Sequence, residues 1–257
     1  MQKTIINKKF QIWNGIFNNF EEASKNQLYN IRKYNKLYIK LALRVFKKNK
    51  LLLSKKKIDR LSVERFIHLP ILVSNLSKKN RINILDFGGG FGNSYLYLKL
   101  TLEKKLFNKI NYNIIETEDV SAAGKKINNK VNFYTNLNFK FKPDIIFFCS
   151  SLQYIDDWKT LINKICKLQP KQILISDLFC HENFEFITHQ NYYNYKLPHR
   201  FYSLRKLNLE FRRNKYHLNF MDNVLVSRLG KYNYLPMKNF PNKYRIKYTK
   251  HLLYEKK

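Results

Sequence analysis

The run ILDFGGGFGNSYLYL, residues 84 to 98, carries an acid, Asp86, and then Gly88, Gly89, Gly90 and Gly92. The whole chain has 7 glycines, so their crowding here asks for a physical reason. Glycine permits left-handed backbone angles and lets a ligand lie against the main chain. An apolar run that enters such a turn and leaves as a helix makes a nucleotide-type cradle at a strand end. Three cofactor classes use one. A phosphate-binding P-loop needs Gly, four residues, then Gly-Lys-Ser/Thr. GGGFGNSY has no lysine, and AAGKK (122–126) lacks the earlier glycine and the hydroxyl, so that class is excluded. A dinucleotide turn wants G-x-G-x-x-G/A. Gly88 and Gly90 fit, but Asn93 takes the last position, which disfavours it. The third pattern, acid-x-G-x-G-x-G, is matched at every position by Asp86, Gly88, Gly90 and Gly92. It is the turn that holds the amino and carboxylate groups of S-adenosylmethionine. The ribose of that ligand needs a carboxylate at the end of the second strand. Glu116 ends NYNIIE there, 24 residues beyond Gly92 (116 − 92). A carboxylate accepting from both ribose hydroxyls makes strong, charge-assisted bonds.

Strands must position these groups. INILDF, NYNIIE (111–116), VNFY (131–134), PDIIFFCS (143–150) and KQILIS (171–176) read as five strands, with helical segments between most of them. No good helix follows the third. Near-continuous apolar strands alternating with helices predict an α/β fold, Rossmann-like, with a mostly parallel sheet covered on both faces. In that frame Asn136, after the third strand, suits a contact to an adenine amino group. Ser150 and Ser151 follow the fourth strand and face the cofactor. Tyr154 is expected to stand beside the reacting end of that ligand. Asp177 closes the fifth strand on the substrate side, as a general base or hydrogen-bond acceptor. His181 and His189 lie on the loop beyond and read as surface residues.

Residues 1–80 read as a helical extension and 81–257 as the cofactor-binding domain. NNFEEASKNQLYNI carries an Asn cap signal with acids in the first turn. Pro70 should kink or divide the helical stretch 62–79. The basic, amphipathic segment 37–57 reads as a helix packed on the domain by its apolar stripe, in preference to one lying on a membrane.

Composition bounds the partners. The formal net charge of the 257-residue chain is +31, which ordinarily suggests a polyanion. The excess is mostly lysine, accompanied by abundant Asn, Ile, Phe and Tyr, residue types that share adenine- and thymine-rich codons. A biased genome accounts for that set, so nucleic acid is possible but not favoured. Cys149, Cys166 and Cys180 have no metal-type spacing, and no metal is expected. A reducing, cytoplasmic setting fits them. No apolar run reaches the roughly 18 residues of a membrane span, and the N-terminus lacks the apolar core of a signal peptide.

The chain resembles a family of bacterial class I S-adenosylmethionine-dependent methyltransferases associated with surface-polysaccharide genes. WNGIFNNFEEA (13–23) resembles its N-terminal segment and LDFGGGFGNSY its glycine motif. IIETEDVSAAGKK matches its second-strand segment, with Glu116 at the acidic position. PDIIFFCSSLQYIDD is similar to its fourth strand and Leu-Gln-Tyr turn, and ILISDLFCHENFEFITHQ to its fifth strand and Thr-x-Gln segment. LPHRFYSLRKLNLEF looks like the helix that follows. The chain departs from the pattern after Asp177, where Leu178, Phe179 and Cys180 replace Arg-Thr-Pro, and at His189, where the family has an apolar residue.

The resemblance implies a methyltransferase using S-adenosyl-L-methionine on a small molecule or a sugar or polysaccharide intermediate. It also implies that 248–257 inserts antiparallel beside 215–224 to finish the sheet. The alternatives suggested by charge are an RNA methyltransferase or a non-enzymatic RNA-binding protein. SSLQY after the fourth strand, in place of Asn/Asp-Pro-Pro-Tyr/Phe, argues against a base-amino methyltransferase. Residues 177–203, rich in His, Tyr, Asn and Gln, are expected to fold over the pocket as its substrate-side wall. Asp177 and Gln190 should point inward, Gln190 joining Asp177 and Tyr154 as a candidate catalytic residue. Arg200 is expected to hold an anionic group on the acceptor.

Overall fold

The computed structural model describes residues 10–24, 31–193, 195–225 and 234–256. In chain order the elements are β1 (Trp13–Phe17), α1 (Phe20–Ser24), α2 (Ile31–Ser54), α3 (Arg60–Phe66), α4 (His68–Ser74), β2 (Ile82–Phe87), α5 (Asn93–Thr101), α6 (Lys104–Phe107), β3 (Ile110–Ile115), α7 (Glu118–Ile127) and β4 (Asn132–Tyr134). They continue with β5 (Ile145–Cys149), α8 (Trp158–Lys167), β6 (Gln172–Leu178), β7 (Cys180–His181), β8 (Phe186–Tyr192), β9 (Tyr195–Ser203), α9 (Leu204–Arg213), β10 (Tyr216–Val224) and β11 (Thr249–Lys256).

Among the described residues, seven strands form the main sheet in the order β10-β11-β6-β5-β2-β3-β4. β2 to β6 are mutually parallel, and β11 enters antiparallel between β6 and β10. The chain builds outward from β2 to β4, then crosses to the other side of β2 for β5 and β6. The order reverses at β2, so the turn after it lies at the topological switch point, where open α/β sheets bind ligands.

The apolar strands are buried on both faces. Ile145, Ile146, Phe147 and Phe148 of β5 are wholly buried. On one face Trp158, Leu161, Ile162 and Ile165 of α8 and Leu207 and Phe211 of α9 meet Leu85, Ile146 and Phe148. Their i, i+3, i+4, i+7 spacing on α8 makes one apolar stripe. On the other face Phe66, Leu69, Leu72 and Val73 of α3 and α4 pack with Leu98 of α5 against Ile84 and Phe147. The boundary expected at residue 80 is therefore crossed by core packing. α3 and α4 separate at Ile67, and Pro70 falls in the first turn of α4, where its missing N–H costs nothing. α2 packs by Phe46 against Phe91, Leu96 and Val120, and so roofs the glycine turn.

The N-terminal stretch corrects the helical expectation. Trp13–Phe17 is a strand, paired antiparallel with β8 through Trp13↔Gln190 and Asn14↔His189. The expected helix over 18–31 is described only for Phe20–Ser24 and from Ile31 onward, and residues 25–30 lie outside the described residues. The segment after β6 is likewise more regular than the loop expected there. β8 and β9 form an antiparallel pair, and the second sheet has the order β1-β8-β9-β7. It closes over its own core of Trp13, Phe179, Phe186, Phe201, Met237 and Phe240.

Candidate active site

The glycine turn is shaped by contacts that a side chain would break. Gly88 has φ +73°, and a Cβ there would lie 2.5 Å from Ser151 Cβ. Gly90 has φ +57°, and among the described residues its Cβ would meet only the Tyr38 hydroxyl of α2 within 4 Å, at 3.5 Å. That open side is where a ligand can touch the backbone. Gly89 is held against the Asp86 carboxyl group, 2.6 Å from its would-be Cβ. Gly92 caps α5 in the left-handed conformation.

Asp86 sits beneath this turn, 1% exposed. Its Oδ2 accepts from Ser94 Oγ at 2.6 Å and from the Tyr112 hydroxyl at 2.7 Å, while Oδ1 is buried without a partner. Burial raises its pKa from 3.8 to about 6, against the lowering effect of the two hydroxyls. The folded state thus holds this proton more tightly than the unfolded chain does. Its stabilisation is full below about 3.8 and is lost as pH rises through about 6. A rise from 3.8 to about 6 corresponds to roughly 3 kcal/mol of stability forgone at neutral pH. Ligand-free Asp86→Asn should therefore melt above the wild type at pH 7, with the gap closing toward pH 4. Thermal denaturation of both proteins from pH 4 to pH 7 tests this, and a gap independent of pH would refute it.

Glu116 lies just past β3. Its Oε1 accepts from the Gly90 N–H at 2.9 Å and its Oε2 from the Thr117 N–H at 3.2 Å. Burial raises its pKa and the two backbone N–H groups oppose the rise. The structure thus joins the first and second strand ends directly. Asn136 lies where expected, on the exposed stretch just after β4, and its Oδ1 accepts from the Asn138 N–H at 2.9 Å. It caps a local turn and is not part of the cavity lining below.

At the ends of β5 and β6 two non-glycine residues adopt left-handed angles, Ser150 with φ 52° and Asp177 with φ 54°. Ser150 Oγ donates to Asp177 Oδ2 at 2.5 Å, Thr249 Oγ1 to Oδ1 at 2.6 Å, and the Arg65 guanidinium lies 2.8 Å from Oδ2. Burial is the largest influence on the Arg65 pKa and lowers it, but the Asp177 charge, Cys149 and the hydrogen bond to Asp177 together outweigh it and the net shift is upward. Asp177 is fully buried and held by donors on both oxygens, an arrangement that positions neighbours and leaves no lone pair facing solvent. Ser151 turns the other way: its Oγ donates to the Phe87 carbonyl at 2.6 Å and its Cβ supports Gly88.

Beside this cluster opens a cavity of about 580 Å³, lined by Trp13 of β1, Arg65 of α3, Ser150, Gln153, Tyr154, Asp177 and Phe179, and by Gln190 to Tyr193 of β8 and its turn. The Tyr154 hydroxyl donates to Gln190 Oε1 at 2.5 Å. Tyr154 is 39% exposed, and that surface is cavity wall, where poor solvation raises the phenol's pKa. Tyr154, Asp177 and Gln190 thus line one cavity, and residues 177–193 supply much of its wall.

Other expected groups are engaged elsewhere. Arg200 pairs with Glu185 and donates to the Asp156 carbonyl at 3.0 Å, so its expected contact with an acceptor anion is corrected to a structural ion pair. His189 Nε2 lies 2.5 Å from the Ala23 carbonyl, buried beneath α1, and is not a surface residue. His181 Nδ1 accepts from the N–H groups of Asn183 and Phe184 at 3.1 Å, closing its turn. Sequence reasoning did not single out Trp13, Arg65, Gln153 or Tyr38. The first and third lie in the quoted segments WNGIF and SSLQY, which was the available signal. Arg65, beside Glu64 on an amphipathic helix, gave none.

No family model and no curated protein matches the chain. Among solved structures it is similar to a protein of Listeria monocytogenes named as a candidate S-adenosylmethionine-dependent methyltransferase. The match has 12% identity and a TM-score of 0.52, and covers 76% of this chain and 98% of that one. It is also similar to an S-adenosylmethionine-dependent methyltransferase of Clostridium acetobutylicum, at 14% identity and a TM-score of 0.49, over 83% and 98% of the two chains. At such identities the fold is what is shared. The chain has the Rossmann-like class I methyltransferase fold, with a mostly parallel central sheet.

Proposed function

We propose that the protein is an S-adenosylmethionine-dependent methyltransferase acting on a small molecule, sugar and polysaccharide intermediates included. The observation that carries the reading is the meeting of the glycine turn, the unpartnered Asp86 Oδ1 and the Glu116 carboxylate at the switch point. That set fits the cofactor. Asp86 and the turn would hold its methionine end, and Glu116 its ribose. A carboxylate has about four acceptor sites, so Glu116 keeps capacity beyond the Gly90 and Thr117 N–H groups. When bound, the cofactor supplies a methyl group on a positively charged sulfur.

The chain's own residues would do the positioning that such a displacement depends on. Tyr38, on α2, covers the turn. Arg65, Asp177 and Ser150 lock the end of β6 against the end of β5. Tyr154 and Gln190, bonded to each other, face the cavity from opposite elements. The aromatic walls pair flat apolar faces with hydrogen-bonding edges, which suits a ringed acceptor. The resemblance to enzymes associated with surface-polysaccharide genes supports counting sugars among such acceptors.

Calorimetry with S-adenosylmethionine tests the reading. Glu116→Ala, folded by circular dichroism, should bind about 10- to 100-fold more weakly, the loss expected when a hydrogen bond to a charged acceptor is removed. If wild type and variant alike fail to bind at millimolar ligand, the reading is wrong.

A further inference from the structure

We propose, resting on the methyltransferase reading and narrowing its acceptors away from sugar hydroxyls, that the acceptor atom is a weakly basic nitrogen, unprotonated near neutral pH, and not an alcohol oxygen. The ground is what lines the cavity. Among the described lining residues the ionisable side chains are Arg65, Asp177, Tyr154, Tyr192 and Tyr193. Asp177 is the one carboxylate among them, and it is held by Arg65, Ser150 and Thr249 with no exposed surface. The Ser150 hydroxyl is spent on Asp177, and the Tyr154 hydroxyl donates to Gln190. His199 lies close, 5.5 Å from the Tyr154 ring and 4.6 Å from that of Phe179, but it is wholly buried behind them. No described side chain of the lining is placed to take a proton from a substrate.

That bears on the two acceptor chemistries differently. When a nitrogen attacks, its lone pair forms the N–C bond to the methyl carbon. The C–S bond breaks and its electron pair stays on sulfur, which becomes a neutral thioether while the positive charge passes to nitrogen. The nitrogen keeps its hydrogens, and a surplus proton leaves to water afterwards. An alcohol attacking in the same way becomes a protonated ether, so its proton must be removed during the attack. A strongly basic amine fails for another reason. With a pKa near 10.4, as in lysine, it enters as an ammonium with no lone pair, and the cavity's carboxylate is already paired with a guanidinium.

The remaining lining fits a flat, weakly basic nitrogen compound. Trp13, Tyr154, Phe179 and Tyr192 supply ring faces and edges. Gln153, 1% exposed and in the same wall, has an Oε1 with no partner among the described residues, the acceptor that a substrate N–H would satisfy.

The test uses one probe carrying both chemistries, (6-aminonaphthalen-2-yl)methanol, with the full chain and S-adenosylmethionine. Calorimetry first measures cofactor and probe binding separately. Turnover products are then identified by mass spectrometry, and kcat/KM is followed from pH 7 to pH 9. The expected result is the N-methyl product, a flat pH profile, and a KM raised about tenfold in Gln153→Leu, the loss of one satisfied buried acceptor. An O-methyl product overturns the proposal. So does a rate that climbs with pH, or a bound probe and bound cofactor that give no product. Failure of the cofactor to bind instead overturns the methyltransferase reading itself, so the two failures are distinguishable.

Discussion

Asp177→Ala is expected to destabilise the protein by about 3–5 kcal/mol, the cost of leaving one member of a buried ion pair without its partner. The substitution strands the Arg65 guanidinium, which is 26% exposed, and takes the acceptor from two hydroxyls, Ser150 and Thr249. These donors come from three separate elements, α3, the end of β5 and the start of β11, so the loss is felt across the sheet. Asp177→Asn, which keeps the shape but not the charge, should cost less. Urea denaturation of the three proteins measures it. A loss below about 1 kcal/mol for the alanine variant would mean that Arg65 finds adequate solvation in the cavity, and the hub assigned here would be wrong.

Gly88→Ala should weaken cofactor binding by at least a hundredfold. Its φ of +73° costs an L-residue about 1–2 kcal/mol, and its new methyl would lie 2.5 Å from Ser151 Cβ. Ser151 cannot retreat freely, because its Oγ is anchored on the Phe87 carbonyl. Relief must come from the turn, and displacing it moves Gly90 away from Glu116. We expect at least a hundredfold loss of S-adenosylmethionine affinity by calorimetry. The double variant Gly88→Ala/Ser151→Gly should recover part of it, by removing the collision but not the dihedral cost. Wild-type affinity in the single variant would contradict the assignment of this turn as the cradle.

The parts of the fold visible in the sequence are those set by local pattern. β2, β3, β5 and β6 announce themselves as apolar runs, and the glycine spacing marks the turn after β2 because its left-handed backbone angles demand that residue type. The position of Glu116 was legible too, since a strand end is a fixed place. The second sheet was not. β1 is five residues long, holds Gly15, and pairs with a strand far along the chain. β8, FITHQNY, mixes polar and aromatic residues because one face meets the cavity, so it reads as a loop. Arg65 was hidden differently: a guanidinium looks like solvent-facing charge until the fold brings Asp177 beneath it.

The pairing of Trp13 with Gln190 has a consequence in time. It joins residues 177 apart in sequence (190 − 13), and closing a flexible loop of that length costs on the order of 5 kcal/mol in chain entropy. One short strand cannot offset that alone. The intervening main sheet must first fold and draw the two segments together, which leaves the acceptor cavity as a late product of folding. Among the described residues β1 is held by one neighbouring strand and a small core, so on unfolding the cavity wall is expected to open before the glycine turn does. On the proposed reading, a chain that has just been made, or has just been warmed, passes through a state with its glycine turn formed and its cavity still open.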